Sequence, residues 1–391
     1  MIKVNKIWRG GVNCNPKGKQ KGEKHDLGLN TLKGLAMFLV LFYHFRNFWL
    51  PNHFSDCGSG ILYYIFSFTS LGVPIFFVVH GALLLHKDDI DWKIWNRKIV
   101  KLFGMLLTWS VVIEFYMFYY NGFHDWENFW IYVYTGKNLN YLWFIRSLLV
   151  IYMFFPVLWI AYRHISQFPS EKAGMLIYLF FMLLSAFGNN FIWMIANTVK
   201  SFTEGDLLSS NGTYNFFGYI LPDYRGGAFI YPIAYFMIGG ILYQKKEEIR
   251  INKRWLLGVL LGMMMILSAY GYLCTKILGD KEWYNVAGNS YSSILTAISV
   301  ICIFILMKDI QITKKYMVRY INTLGRNTLG IYFTHIPIGY SLQRFMHRDM
   351  GMTYQGLTGS VIFSLFVLNI SLLLSVIYKK CKFKVRLFIK I

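Results

Sequence analysis

Residues 30–50 read NTLKGLAMFLVLFYHFRNFWL, from Asn30 to Leu50. The run is long and apolar enough to cross a bilayer as a helix, yet it carries Lys33 and His44 eleven residues apart. At about 100° per residue, eleven steps return almost to the same face, so Lys33, Met37, Val40 and His44 form one stripe. A rise of about 1.5 Å per residue sets His44 roughly 16 Å along the axis from Lys33, well inside the hydrocarbon. A titratable imidazole at that depth is costly, and it marks a candidate functional site. The alternative is a structural histidine bonded to a neighbouring helix; Lys33 on the same stripe favours function.

Similar windows recur along the chain, whose 55% hydrophobic and 15% charged composition suits lipid better than water. About ten helices are predicted: 32–50, 61–85, 99–120, 141–161, 175–196, 226–243, 255–275, 292–307, 329–345 and 357–378. The fold class is therefore all-α integral membrane. A basic cytoplasmic tail (1–30), a transmembrane domain (31–378) and a second basic cytoplasmic tail (379–391) complete the organisation. The segment before Leu32 has no apolar core, so the first span reads as an uncleaved anchor.

The net charge of +21 is distributed by loop. Cations crowd the segments Lys3–Lys24, Lys87–Lys101, Arg163–Lys172, Lys245–Arg254, Lys308–Arg326 and Lys379–Lys390. The intervening connections hold few: Lys137, then Lys200 and Arg225, then Lys276 and Lys281, then Arg344 and Arg348. That alternation follows the positive-inside rule with both termini cytoplasmic, and it makes the basicity an orientation signal rather than a nucleic-acid surface. The five cysteines are isolated, with no metal-ligand spacing, so no metal is expected; Cys57 and Cys274 both fall near the outer side. Asn211-Gly-Thr213 is an outer sequon, within a long outer connection from Asn189 to Gly227. Gly72 and Pro74 interrupt the second span, where a kink would free backbone groups to line a cavity.

The chain has no Walker-type loop, no GxGxxG after a strand, no HExxH and no GxSxG. Nucleotide hydrolysis, dinucleotide redox, zinc proteolysis and the common serine hydrolases are thereby unsupported. Polar residues inside the spans remain: His44, His80, Glu114, Arg146 and His335. His44 suits general-base work near neutral pH. Arg97, Lys98 and Lys101 share one side at the start of the third span and, with Lys33, form a cationic mouth suited to phosphates. As topology signals they would look much the same. Glu114 and Arg146 have opposite charges at similar depth, so an ion pair between them is expected. Arg46 lies roughly opposite His44 and is expected to snorkel to the outer interface. Trp143 reads as an interfacial belt residue, and Asn327, Tyr332 and His335 give the ninth span a polar flank.

These residues together resemble acyltransferase family 3, multi-pass membrane proteins typified by bacterial enzymes that O-acetylate surface polysaccharides. Leu29 to Ala36 followed by Tyr43-His44 is similar to the family's first-helix pattern, and Gly72 to Phe77 with Gly81 to its second. Lys98 and Lys101 stand where the family has two arginines; Trp143-Phe144 and Leu329 to His335 match later landmarks. Lysines at 33, 98 and 101 lose the bidentate guanidinium fork, His80 stands where a small serine is usual, and Asn30 replaces an acidic residue.

The resemblance implies transfer of an acyl group, acetyl first, from cytoplasmic acyl-coenzyme A (acetyl-CoA) to a hydroxyl of a surface or lipid-linked glycan, by a protein of the plasma (inner) membrane of a bacterium. Lys33, Arg97, Lys98 and Lys101 would hold the donor, His44 would deprotonate the hydroxyl or relay the acyl group, and His335 and Arg146 would orient the acceptor or the oxyanion. The rival is a proton-coupled transporter or exporter using the same buried His, Glu and Arg, which should show related halves; only the second span is visibly interrupted. A third reading is a relative that binds without catalysis.

Overall fold

The computed structural model describes residues 26–46, 58–120, 126–135, 138–167, 179–207, 230–277, 285, 289–351 and 356–388. Helix α1 (Leu27–Phe45) begins where the Asp26 carboxylate accepts the Leu29 N–H at 3.1 Å, a side-chain cap on one of the orphan amides of the first turn. Leu32, Ala36, Met37, Leu41 and Phe45 are each at most 1% exposed although they point in different directions, so α1 is packed nearly all round and stands at the centre of the bundle.

The second span is broken. Helix α2 (Gly58–Ser67) passes through a tight 3-10 turn, Phe68–Leu71, into α3 (Gly72–Leu84). The interruption expected at Gly72 and Pro74 thus falls one turn earlier, and Pro74 sits in the first turn of α3, where a missing N–H costs no helical bond. Helix α4 (Trp92–Tyr120) follows, then α5 (Trp126–Thr135), a short helix in what reads from sequence as an outer connection. Helix α6 is Trp143–Gln167; a π-turn, Leu184–Gly188, leads into α7 (Asn189–Glu204). The rest are α8 (Ile230–Gln244), α9 (Lys253–Ile277), α10 (Ile294–Lys308), α11 (Lys315–Arg344) and α12 (Leu357–Phe388).

Each predicted window overlaps helix within its described residues, and no strand occurs among the described residues. Seven helical segments are long and apolar enough to span a bilayer. Helices α8 and α10, at 15 residues each, reach only about 22 Å and lie within the bundle. Several boundaries differ from expectation. Helix α1 starts at Leu27 rather than 32, α4 at Trp92 rather than 99, and α11 at Lys315 rather than 329 because its first half is amphipathic; α7 extends into the long connection, and residues 47–50 of the first window lie outside the described residues. Helix α12 also continues into the basic segment assigned to the C-terminal tail. Residues 1–25 and the sequon at Asn211 lie outside the described residues, as does Cys57; Cys274 is a free, buried thiol.

Backbones approach closely where α3 crosses α8. A Cβ on Gly81 would collide with the Phe236 carbonyl, and one on Gly239 with the Val78 carbonyl, so only glycine permits this crossing. At the periphery, α4 exposes Val100, Leu107, Val111 and Phe115, while α12 exposes Ile362, Phe366 and Leu373. A continuous apolar exterior of this kind is a liability in water and matches acyl chains.

Candidate active site

Helix α11 organises the site by running alongside three others. Against α1 it pairs Asn322 with Asn30 (Asn30 Nδ2 donating to Asn322 Oδ1, 2.8 Å) near the start, His335 with His44 further along, and Gly339 with the Phe45 ring. The two helices therefore run parallel in constant register. Against α4 the partners are Trp109 and Phe333 (stacked, 5.5 Å), Tyr116 and Ser341 (2.9 Å), and Arg344 with the Tyr120 carbonyl (3.0 Å). Their offset holds at 224 to 225 residues, so α4 is parallel to α11 as well, and the same register brings Lys101 level with Arg326. Helix α12 is antiparallel: Ser375 Oγ donates to Asn327 Oδ1 (3.2 Å), and Lys379 Nζ to the Arg326 carbonyl (2.8 Å).

This register creates two tiers. The upper one holds two imidazoles with centroids 5.3 Å apart, His44 half-buried and His335 fully buried. His335 Nδ1 lies 2.6 Å from the Tyr332 carbonyl. A carbonyl only accepts, so Nδ1 carries the proton and Nε2 the lone pair. Nε2 is buried and has no hydrogen-bond partner among the described residues. Tyr141 completes the tier, its ring 5.8 Å from His335 and 6.4 Å from His44, and its hydroxyl is likewise buried and unpartnered among the described residues. Two unsatisfied polar atoms beside a third titratable group are what a polar substrate would satisfy.

Tyr141 is held from two directions. Tyr332 donates its hydroxyl to the Tyr141 carbonyl. Glu114, 1% exposed, accepts from the Asn138 N–H (3.1 Å) and the Asn138 Nδ2 (2.7 Å), pinning the segment that leads into the 3-10 turn Asn140–Leu142. This corrects the expected Glu114 to Arg146 ion pair. Arg146 is exposed, with no carboxylate partner among the described residues, and only its charge reaches the Tyr332 hydroxyl. Trp143 is half-buried against Tyr291 at 5.6 Å rather than standing in a lipid belt.

The lower tier, about nine to eleven residues down the parallel helices, is basic. Lys33 is half-buried, donates to Asn30 Oδ1 at 3.4 Å and acts electrostatically on His80, whose Nδ1 is tied to the Phe76 carbonyl at 2.8 Å. Arg97, Lys98 and Lys101 are exposed at the start of α4, Lys98 lying over the Trp95 ring at 5.5 Å. Lys101 and Arg326 both act electrostatically on Lys379. A separate cleft of about 290 Å³, lined by Glu247, Arg250, Lys253, Lys308 and Asp309 among others, shares no residue with either tier.

The sequence profile of a family described as an acyltransferase domain, acyltransferase family 3, matches residues 26–379. The chain belongs to that family. Searches of curated proteins and of solved structures gave no significant match. The acyltransferase thus carries its family's features over nearly its whole length, in a multi-pass arrangement of apolar helices.

Tyr141, Arg326 and Lys379 escape a reading of the acyltransferase's sequence. Arg326 and Lys379 look like orientation cations until the helix register is known. Tyr141 sits in the short 3-10 turn that leads into α6, where α-helical periodicity gives no face. Its signal was the neighbouring Trp143-Phe144 landmark.

Proposed function

We propose that this acyltransferase moves an acyl group, acetyl first, from acyl-coenzyme A at the basic face to a hydroxyl of a surface or lipid-linked glycan. The observation that carries the reading is the His44 and His335 pair, its lone-pair nitrogen unspent, held one tier above converging cations on parallel helices. The donor's phosphates sit among Lys33, Arg97, Lys98 and Lys101, joined by Arg326 and Lys379.

His44 takes the proton of the acceptor hydroxyl as its oxygen bonds to the thioester carbon. His335 Nε2 then accepts a hydrogen bond from the imidazolium, stabilising it. The Tyr141 hydroxyl donates to the carbonyl oxygen as negative charge develops there. The C–S bond breaks, and the coenzyme A thiolate leaves with the proton from His44. Arg146, exposed beside Tyr332, orients the acceptor.

The test is acyl transfer by purified protein in lipid nanodiscs, supplied with acetyl-CoA labelled on the acetyl group. Release of free coenzyme A and transfer of label to glycan are expected from the wild type and abolished in His44→Ala. Undiminished transfer by a folded His44→Ala protein contradicts the assignment. Mass analysis of surface glycans with and without the protein identifies the acceptor.

A further inference from the structure

Arg46 does not reach out to the interface. It is 8% exposed, turned inward at the end of α1 two residues beyond His44. Its Nη1 donates to the Tyr43 carbonyl at 3.0 Å, and its guanidinium lies over the Tyr43 ring at 4.3 Å and within 5.8 Å of the Phe66 ring. Tyr63 and Tyr291 are within electrostatic reach, but no carboxylate accompanies it among the described residues. A guanidinium has five N–H donors, and among the described residues that of Arg46 meets the Tyr43 carbonyl, the Tyr43 side chain and aromatic faces but no anion. Burying a cation without a counter-ion is costly, and sites that tolerate the cost supply an anion on binding.

The surroundings suit a sugar. Tyr43 packs edge-on to His44 at 5.3 Å, and both are half-buried, so a ligand touching His44 also meets Tyr43. The Tyr43 hydroxyl accepts from Asn285 Nδ2 at 2.7 Å, which fixes the ring beneath Arg46. Trp143 and Tyr291 add a second aromatic pair at 5.6 Å. Rings, an amide and one cation beside the base suit a charged saccharide.

We infer that Arg46 binds an anionic group of the acceptor, a carboxylate or a phosphate close to the hydroxyl that is acylated, so that the acceptor is an acidic or phosphate-linked saccharide. This rests on the acyl-transfer reading above. The guanidinium forms a bidentate pair with the anion, and the neighbouring hydroxyl is thereby presented to His44.

The experiment compares octyl glucoside with octyl glucuronide and with a short-chain polyprenyl-phosphoryl glucose, below micelle-forming concentration, in phosphatidylcholine nanodiscs. Binding is followed by tryptophan fluorescence without donor, and transfer by label from acetyl-CoA. The wild type is expected to prefer one or both anionic probes by about tenfold or more, the range of a charge-assisted hydrogen bond. Arg46→Gln brings the anionic-to-neutral ratio close to one, and Arg46→Lys retains part of it. Equal affinity of the wild type for all three probes overturns the inference, whatever the variants do. So does retention of anionic preference in Arg46→Gln. Native mass spectrometry in phosphatidylglycerol nanodiscs covers the remaining source: a bulk lipid headgroup lost in Arg46→Gln, with no sugar preference, also overturns it. Anionic preference in binding without any transfer leaves Arg46 its role and refutes the transferase reading instead.

Discussion

Replacing Glu114 tests how the upper tier is held. The carboxylate accepts two hydrogen bonds from Asn138, at 3.1 and 2.7 Å, from a site 1% exposed to solvent. Each bond to a charged acceptor contributes about 1.5–3 kcal/mol. Glu114→Ala removes both and strands two donors, for an expected loss of about 3–5 kcal/mol. Glu114→Gln keeps the shape and one acceptor but points an NH2 group at a donor, so about half that loss is expected. The functional effect exceeds the thermal one, because the same segment carries Tyr141 to within 5.8 Å of His335. A drift of about 1 Å in a positioned group costs up to about a hundredfold in rate. The assay pairs thermal unfolding in detergent with coenzyme A release from acetyl-CoA, and adds Arg146→Gln as the contrast. Arg146 is exposed, so its loss should change stability by less than about 0.5 kcal/mol. Wild-type behaviour of Glu114→Gln refutes the reasoning. So does strong coupling between Glu114 and Arg146 in a double-mutant cycle, which would restore the ion pair the structure replaces.

Gly81→Ala should prevent α3 from seating on α8, because the added Cβ collides with the Phe236 carbonyl; little monodisperse protein is expected on size-exclusion chromatography, and normal yield contradicts the crossing. Lys101→Ala, Arg326→Ala and Lys379→Ala should each raise KM for acetyl-CoA about three- to tenfold with kcat little changed, and added salt should raise the wild-type KM in the same direction. A fall in kcat alone would place these cations outside the donor site. Tyr141→Phe keeps the ring and removes the unpartnered hydroxyl, so kcat should drop about tenfold to a hundredfold without loss of thermal stability. Unchanged kcat would take Tyr141 out of the mechanism.

Much of the architecture was legible in the sequence because lipid imposes long apolar runs, and each run overlaps helix within its described residues. The Lys33 and His44 stripe was legible for the same reason: helical period alone fixes a face within one segment. His335 was found by its depth, but its distance from His44 depends on the register between α1 and α11, which small residues such as Gly339 set and no periodicity encodes. The same register turned Arg326 and Lys379 from apparent topology signals into neighbours of Lys101. Charge matching misled at Glu114, since an amide two residues from a turn competed with a distant guanidinium and lay closer. It misled again at Arg46, where length and position suggested snorkelling but aromatic faces drew the cation inward. Amphipathic helix at Lys315–Thr328 and the short α5 escaped hydropathy because neither is apolar throughout.

The central claim is that His44 and His335 act as one unit on an acyl donor. Single-turnover transfer of labelled acetyl should be measured for the wild type, His44→Ala, His335→Ala and the double variant in nanodiscs. The account predicts that each single change removes nearly all transfer, that the double variant is no worse than His44→Ala, and that all variants remain folded. Independent, multiplicative losses, or transfer at the wild-type rate from either folded single variant, would contradict it.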